Sequence, residues 1–159
     1  MELTAYHEAG HAFMAAFLGG KVRSVTIEPD DDDGPQRFGD TQVVWRTSRM
    51  SERKLCENCI QVSLAGPVAE MLYSGDPYHP GLVAEWASDW QAAWEAAATL
   101  FSDQRKRLEY LESVTGVLYR MLDSEPNWSA VASLADSLLA HETLEAEEVE
   151  EIVGEWLDW

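Results

Sequence analysis

Two histidines near the start of the chain have the spacing of a metal site. The segment His7-Glu8-Ala9-Gly10-His11 follows the pattern His-Glu-x-x-His. On a helix, residues four apart lie on one face about one turn apart, so both imidazoles can point at a single ion. Zinc accepts such nitrogen ligands at about 2.0–2.1 Å. The pattern therefore predicts that His7 and His11 bind Zn²⁺.

Glu8 directly follows the first predicted ligand and can reach a water on the metal. Zinc lowers the pKa of such a water towards about 7, and a nearby carboxylate can then take its proton. A peptide carbonyl polarised by the ion would be attacked by that water. The spacing thus predicts metal-assisted hydrolysis with Glu8 as general base.

A third metal ligand must come from elsewhere in the chain. The extended metzincin pattern requires a glycine and a third histidine after His11, but Met14 and Phe17 occupy those positions. The remaining candidates are acidic or imidazole side chains farther along the chain: Glu70, Asp76, His79, Glu85 and Asp89. Spacing alone does not choose among them.

Hydrophobic patterning predicts that most of the chain is helical. The predicted helices cover 2–19, 51–73 with a kink or break near Pro67, 82–101, 102–122, 128–140 and a last segment from about 145. Two short strands are predicted at 22–28, with Val22, Ser24 and Thr26 on one face, and at 41–46. No linker separates two cores, so we expect one mainly α domain over residues 1–159, with five or six helices and a small two-stranded β element.

The composition limits the classes of partner. The chain has 159 residues, with 29 Asp and Glu against 11 Lys and Arg, and a formal net charge of −18. This charge repels phosphate backbones and anionic lipid surfaces, so we expect neither a nucleic acid nor a membrane as partner. No stretch reaches the roughly 18–20 apolar residues of a membrane span, and the first residues lack the features of a signal peptide. A cytoplasmic location is therefore expected.

Three further patterns have simpler interpretations. Cys56 and Cys59 are too few for a disulfide framework and lack a second pair for a zinc site, so we expect two packed thiols. Trp86, Trp90 and Trp94 recur every four residues, and such a stripe is typical of a core or an interface. The acidic run 30–33 lacks the spacing of a calcium loop and is expected to be solvated.

Five segments, which follow one another along the chain, resemble segments of one protease family. Residues 5–12, Ala-Tyr-His-Glu-Ala-Gly-His-Ala, look like an active-site helix, and residues 25–29 are similar to the strand that follows it. Residues 63–70 resemble a helix with the motif "LGGRAAE", and residues 137–149 a C-terminal block "LLEKETLDAEEV". Residues 89–93, Asp-Trp-Gln-Ala-Ala, resemble the segment "DLxxAT". The family is that of the FtsH-type AAA+ zinc proteases, and the resemblance covers nearly the whole chain.

The resemblance to FtsH-type proteases implies a fold and a set of site residues. The aspartate of "DLxxAT" is the third zinc ligand in that family, so the resemblance implies His7, His11 and Asp89 as ligands and Glu8 as base. Glu70 either orients an imidazole through a hydrogen bond or lies on a helix surface. The implied fold is a mainly helical peptidase domain with a small sheet.

The family also joins its peptidase to an ATP-driven unfoldase and to membrane helices, which have no counterpart in these 159 residues. We therefore expect an ATP-independent zinc metalloendopeptidase that cleaves short or unfolded peptides, unless a separate motor partner supplies the substrate. A homo-oligomer is compatible with the resemblance. The alternative is a non-proteolytic, zinc-stabilised binding or regulatory module of the same fold. The predicted strand 41–46 could bind a substrate by β-augmentation.

Overall fold

The computed structural model describes residues 1–28 and 39–157, so the acidic run 30–33 lies outside the described residues. Of the described residues, 71% are helical and a few form a small three-stranded sheet, so the predicted mainly α class is confirmed. The helices are α1 (Glu2–Phe17), α2 (Glu52–Ser74), α3 (Ala87–Ala98), α4 (Gln104–Leu122), α5 (Asn127–His141) and α6 (Ala146–Trp156). The strands are β1 (Lys21–Thr26), β2 (Asp40–Val44) and β3 (Thr143–Glu145).

Small residues allow α1 and α2 to pack closely. Ala5, Ala9 and Ala12 of α1 are fully buried. A Cβ atom at Gly10 would lie 2.5 Å from the carbonyl oxygen of Ala65 and 2.7 Å from Cβ of Ala69, both on α2. Only glycine permits this approach. The crossing therefore brings the backbone of α2 against the helix that carries both histidines.

The second helix continues through Pro67, so of the predicted kink or break near this residue the break is excluded. Ser51 caps α2 as predicted, because its Oγ accepts a hydrogen bond of 3.1 Å from the Lys54 N–H. The helix ends at Gly75, whose φ of +82° is readily adopted by glycine. Residues 64–71 are all buried, and their packing keeps the segment helical despite the missing N–H of proline.

The central strand of the sheet contains an irregularity that the sequence did not reveal. The strand order is β2-β1-β3, and β1 is antiparallel to both neighbours. The register with β2 shifts between Val22 and Ser24, and as a result both Val22 and Val25 are buried. The predicted face of Val22, Ser24 and Thr26 is therefore wrong, because a bulge interrupts the two-residue alternation.

The sheet has a third strand, so the predicted two-stranded β element is wrong. β3 is three residues long, and its Leu144 pairs with Val25 and is fully buried. Three residues are too few to show an alternating pattern. Glu145 then starts α6, because its side chain and that of Glu148 form a capping box.

The third helix is shorter than the predicted helix 82–101. The turns Pro80–Leu82 and Ala84–Trp86 are 3-10 helices, and Val83 between them is extended, with φ −107° and ψ 118°. This extended residue interrupts the helical pattern, and α3 begins only at Ala87. Asp89 consequently lies in the first turn of α3.

The fourth helix begins at a different cap from the predicted Ser102. The Asp103 carboxylate accepts hydrogen bonds from the backbone N–H groups of Arg105, at 2.9 Å, and Lys106, at 3.1 Å. A carboxylate also interacts favourably with the positive end of the helix dipole. Ser102 and Asp103 are both common capping residues, so the sequence alone does not separate them.

One hydrophobic cluster of buried residues joins all six helices with β1 and β3. Its large members include Phe13, Leu64, Leu111, Leu134 and Val153. None of the described helices is long and apolar enough to span a bilayer.

The α1–α2 crossing predicts an effect on stability. Gly10→Ala should lower the free energy of unfolding of the metal-free protein by about 1–3 kcal/mol, because the new Cβ overlaps with Ala65 and Ala69. Gly116→Ala is the matched control, since its Cβ would meet only Arg120 Nη1 at 3.6 Å and helix propensity should raise stability by up to about 1 kcal/mol. Urea unfolding measures both. Equal effects of the two substitutions would contradict the close crossing.

Candidate metal site

Three potential ligand atoms converge between α1 and α3. His7 Nε2 lies 2.7 Å from Asp89 Oδ2, and His11 Nε2 lies 3.3 Å from the same oxygen. The two Nε2 atoms are 3.1 Å apart. Ligands of a tetrahedral zinc ion at about 2.0–2.1 Å are separated by about 3.3 Å. The three side chains therefore already have nearly the spacing that a zinc ion requires.

The outer nitrogens of both imidazoles have partners that fix the tautomer. His7 Nδ1 donates to Glu70 Oε2 at 2.7 Å, and His11 Nδ1 donates to the carbonyl oxygen of Val62 at 2.6 Å. Ionised carboxylates and carbonyls can only accept, so each Nδ1 carries a hydrogen, and in the neutral imidazole each Nε2 presents a lone pair. Together with Asp89 Oδ2, three electron-pair donors face one another. A cation is the group that satisfies all three.

The electrostatics of the same cluster favour positive charge in it. Burial lowers the pKa of His7, but the hydrogen bonds with Asp89 and Glu70 outweigh this effect and raise the pKa to about 10. The pKa of His11 is likewise raised by Asp89 against the opposing effect of burial. Burial raises the pKa of Asp89, yet His11 and His7 bring it well below its usual range. In the metal-free protein, a proton thus takes the place of a cation between the ligands.

Glu8 lies beside the cluster, and the start of β2 packs against it. Its side chain is 4% exposed, and Thr41 Oγ1 donates to its Oε1 at 2.8 Å. Burial raises the pKa of Glu8, and the nearby His11 and His7 oppose this effect only in part. Gly39, with φ +137°, passes so close that a Cβ there would lie 2.8 Å from Glu8 Cγ. The carboxylate is therefore held in one position by the sheet.

Glu70 is placed by the structure next to His7. Its residue exposure is 2%, so the alternative of a helix-surface glutamate is wrong. Oε2 accepts from His7 Nδ1 at 2.7 Å and from Trp86 Nε1 at 2.6 Å. Such a carboxylate fixes the orientation of the imidazole and raises its basicity as a ligand.

The other candidate ligands lie outside this group. His79 Nε2 pairs with Glu112 at 3.0 Å, and its Nδ1 accepts from the Gly81 N–H. Asp76 is exposed. Among the residues that the structure describes, only His7, His11 and Asp89 form a group of ligand atoms that could hold a metal, and neither Asp76, His79 nor Glu85 belongs to it.

The two cysteines do not join the site either. Cys56 and Cys59 are free thiols of intermediate burial. Cys56 Sγ lies 3.2 Å from Thr99 Oγ1, and burial raises the pKa of Cys59. A raised pKa disfavours the reactive thiolate, which agrees with the expectation of packed thiols.

Sequence reasoning missed three residues that support the site. A Cβ at Gly66 would lie 2.4 Å from His11 Nε2, so only glycine leaves room for this ring. Thr41 and Trp86 each donate to a carboxylate of the site. Gly66 lies within the segment that resembles "LGGRAAE", which is the signal that could have found it. For Thr41 and Trp86, the sequence offers no such signal, because each contacts a residue far away in the chain.

Comparison with known proteins does not assign the chain to a family. No protein-family model matches the chain, and no curated protein matches its sequence. The feature of the described residues that bears on function is therefore the cluster of His7, His11 and Asp89.

The cluster predicts which acidic residue controls metal binding. Asp89→Asn should weaken zinc binding at least about 100-fold, since even the loss of an outer hydrogen-bond partner of a ligand costs about 10–100-fold. Asp76→Asn is the control and should bind zinc like the unmodified chain, because Asp76 lies outside the cluster. Competition with a chromophoric chelator measures both affinities. Equal affinities for the two variants would exclude Asp89 as a ligand.

Proposed function

We propose that this chain is a zinc-dependent metallopeptidase that hydrolyses peptide bonds in short or unfolded substrates. The observation that carries the proposal is the convergence of His7 Nε2, His11 Nε2 and Asp89 Oδ2, with Glu8 on the same helix as both histidines. Three protein ligands leave the fourth position of zinc open, as is typical of catalytic sites, whereas structural sites have four. The resemblance to FtsH-type proteases supports the same roles.

His7, His11 and Asp89 would hold the ion, and Glu8 would move the proton. A bound zinc ion supplies Lewis acidity for the substrate carbonyl and lowers the pKa of water. Because Thr41 engages Oε1 of Glu8, we assign the proton transfer to Oε2. This oxygen takes a proton from the attacking water as the new C–O bond forms. Glu8 then delivers the proton to the departing amine nitrogen as the C–N bond breaks.

The surroundings of Glu8 suit this role. Burial raises the pKa of its carboxyl group, and a carboxylate with a raised pKa is a better proton acceptor than an exposed glutamate. The Thr41 hydroxyl restrains the carboxylate through Oε1. The base is therefore both strengthened and oriented before a substrate arrives.

Substrate would bind along β2. In the strand order β2-β1-β3, β2 is an edge, and its outer side pairs with no strand among the described residues. A peptide that adds to this edge is held mainly through its backbone, so an extended chain of varied sequence can bind. Thr41 lies in β2 and contacts Glu8, so such a peptide would pass the general base. This mode of binding supports short or unfolded segments as the substrate class.

A second candidate is a zinc-stabilised binding module without peptidase activity. The observation that favours it is the burial of Glu8, which is 4% exposed and is thus hard for a water to reach. The same three ligands would then stabilise the fold, and the β2 edge would bind a peptide without cleaving it.

The role of Glu8 can be separated from metal binding. The chain should bind about one zinc, and Glu8→Gln should retain it while peptide cleavage falls by about 10²–10⁴-fold, because the amide cannot accept the proton. Glu112→Gln is the control, since Glu112 pairs with His79 outside the cluster. Metal content and cleavage of a diverse library of unfolded peptides are the measurements.

Each result leads to a different conclusion. Undiminished cleavage by the Glu8→Gln protein would remove Glu8 as the base. Absence of zinc from every preparation of the unmodified chain would exclude both candidate functions. A chain that binds zinc but cleaves no peptide of the library would establish the binding module.

The hydrogen bond from Thr41 predicts a smaller effect on catalysis. Thr41→Val should lower kcat by about tenfold, because the carboxylate loses the donor that orients it but remains a base. Zinc affinity should stay unchanged, since the hydroxyl of Thr41 hydrogen-bonds to Glu8 and not to the three ligands. Thr143→Val removes a similar hydroxyl that bonds to Thr26 at 2.8 Å and should leave kcat unaltered. A loss of zinc by the Thr41→Val protein would contradict the separate role of Thr41.

A further inference from the structure

Trp86 is a buried aromatic residue that the proposed chemistry does not use. It is 4% exposed, yet it lies outside the main hydrophobic cluster. Its indole Nε1 donates a hydrogen bond of 2.6 Å to Glu70 Oε2. A buried indole N–H requires an acceptor, and a carboxylate makes the stronger, charge-assisted bond. The residue is therefore fixed by a specific polar contact and not only by packing.

The same oxygen of Glu70 connects Trp86 to the metal site. Glu70 Oε2 also accepts the hydrogen bond from His7 Nδ1, at 2.7 Å. Glu70 Oε2, on α2, therefore bonds both to His7 on α1 and to Trp86, the residue that precedes α3. Trp86 is the N-cap of α3, and Asp89 lies in the first turn. Residues three apart on a helix are neighbours on one face, about 4.5 Å apart along the axis.

The chain that leads into α3 is irregular. The turns Pro80–Leu82 and Ala84–Trp86 are short 3-10 helices, which have poorer hydrogen-bond geometry than an α-helix. The Asp89 side chain is also 24% exposed, whereas those of His7 and His11 are 4% and 10% exposed. The position of the third ligand therefore depends on how the start of α3 is anchored.

We propose that Trp86 is a positioning residue of the metal site. It anchors the first turn of α3 to Glu70, so that Asp89 faces His7 and His11 before an ion binds. Its N–H also holds Oε2 of Glu70 in place, and this oxygen in turn accepts the hydrogen bond from His7 Nδ1. The inference rests on the zinc site of the proposed function, but it concerns metal affinity and not peptide cleavage.

The test compares zinc affinities of single variants. Trp86→Phe keeps an aromatic ring but removes the N–H, and we expect zinc to bind about 10–100-fold more weakly, as for the loss of other outer partners of a ligand. Trp94→Phe, within α3, is the matched control, because the ring of Trp94 packs against Arg107, with Cζ 4.7 Å from the ring centroid. It should bind zinc like the unmodified chain. Chelator competition gives the affinities, and circular dichroism verifies the fold of each variant.

A double variant separates positioning from simple packing. If Trp86 acts through Glu70, its substitution should matter little once Glu70→Gln has removed the charged acceptor. The loss of zinc affinity in the Trp86→Phe, Glu70→Gln protein should therefore be smaller than the product of the two single losses. A purely structural role for Trp86 would give independent effects, and a full product would overturn the proposal.

A measurement on the unmodified chain tests the role of Trp86 even if the Trp86→Phe protein fails to fold. In assigned NMR spectra, the indole N–H of Trp86 should exchange slowly with water and shift when zinc is added. Rapid exchange in the metal-free protein would overturn the proposal. Normal zinc affinity of a folded Trp86→Phe protein would overturn the role of Trp86 alone. Failure of the unmodified chain to bind zinc would overturn the proposed metal site as well.

Discussion

The close approach of three electron-pair donors, which needs a positive charge among them, is the constraint around which this molecule is arranged. His7 Nε2, His11 Nε2 and Asp89 Oδ2 lie within 2.7–3.3 Å of one another, and hydrogen bonds at both Nδ1 atoms turn the lone pairs inward. Such an arrangement is unfavourable unless a positive charge lies among the donors. In the metal-free protein, the raised pKa of His7 and the lowered pKa of Asp89 both favour a protonated imidazole beside an ionised carboxylate.

The packing of α1 against α2 maintains that arrangement. Because Gly10 lets the two helices approach, the carbonyl of Val62 and the carboxylate of Glu70 reach the outer nitrogens of both imidazoles. Gly66 removes the side chain that would otherwise overlap with His11. The small residues at this crossing therefore make room for the candidate ligands, and the hydrophobic core and the candidate site share one interface.

The sequence predicted the parts of the site that depend on local spacing. His7, Glu8 and His11 lie within five residues of a single helix, so their relation follows from helix geometry alone. Asp89 is far away in the chain, and the resemblance to FtsH-type proteases, not its spacing, singled it out. Thr41 and Trp86 could not be predicted, because a hydroxyl and an indole have no chemistry that identifies them before the fold brings them to Glu8 and Glu70.

The secondary structure shows the same division between local and distant causes. The Ser51 cap and the mainly helical class follow from nearby residues, and the prediction of both was correct. β3 has only three residues and is defined by its pairing with β1, which no local pattern contains. The continuity of α2 through Pro67 is likewise imposed by its packing in the core, and packing overrides propensity.

The buried polar groups of this protein are concentrated in the candidate site, where they cost stability. Among the described residues, the buried polar or charged ones are His7, Glu8, His11, Asn58 and Glu70, and four of these five belong to the site. Burying ionisable groups costs desolvation free energy that apolar residues of similar volume would avoid. In a chain with a net charge of −18, acids have ample room at the surface. Their concentration around two inward-facing imidazoles is consistent with a site that a cation completes.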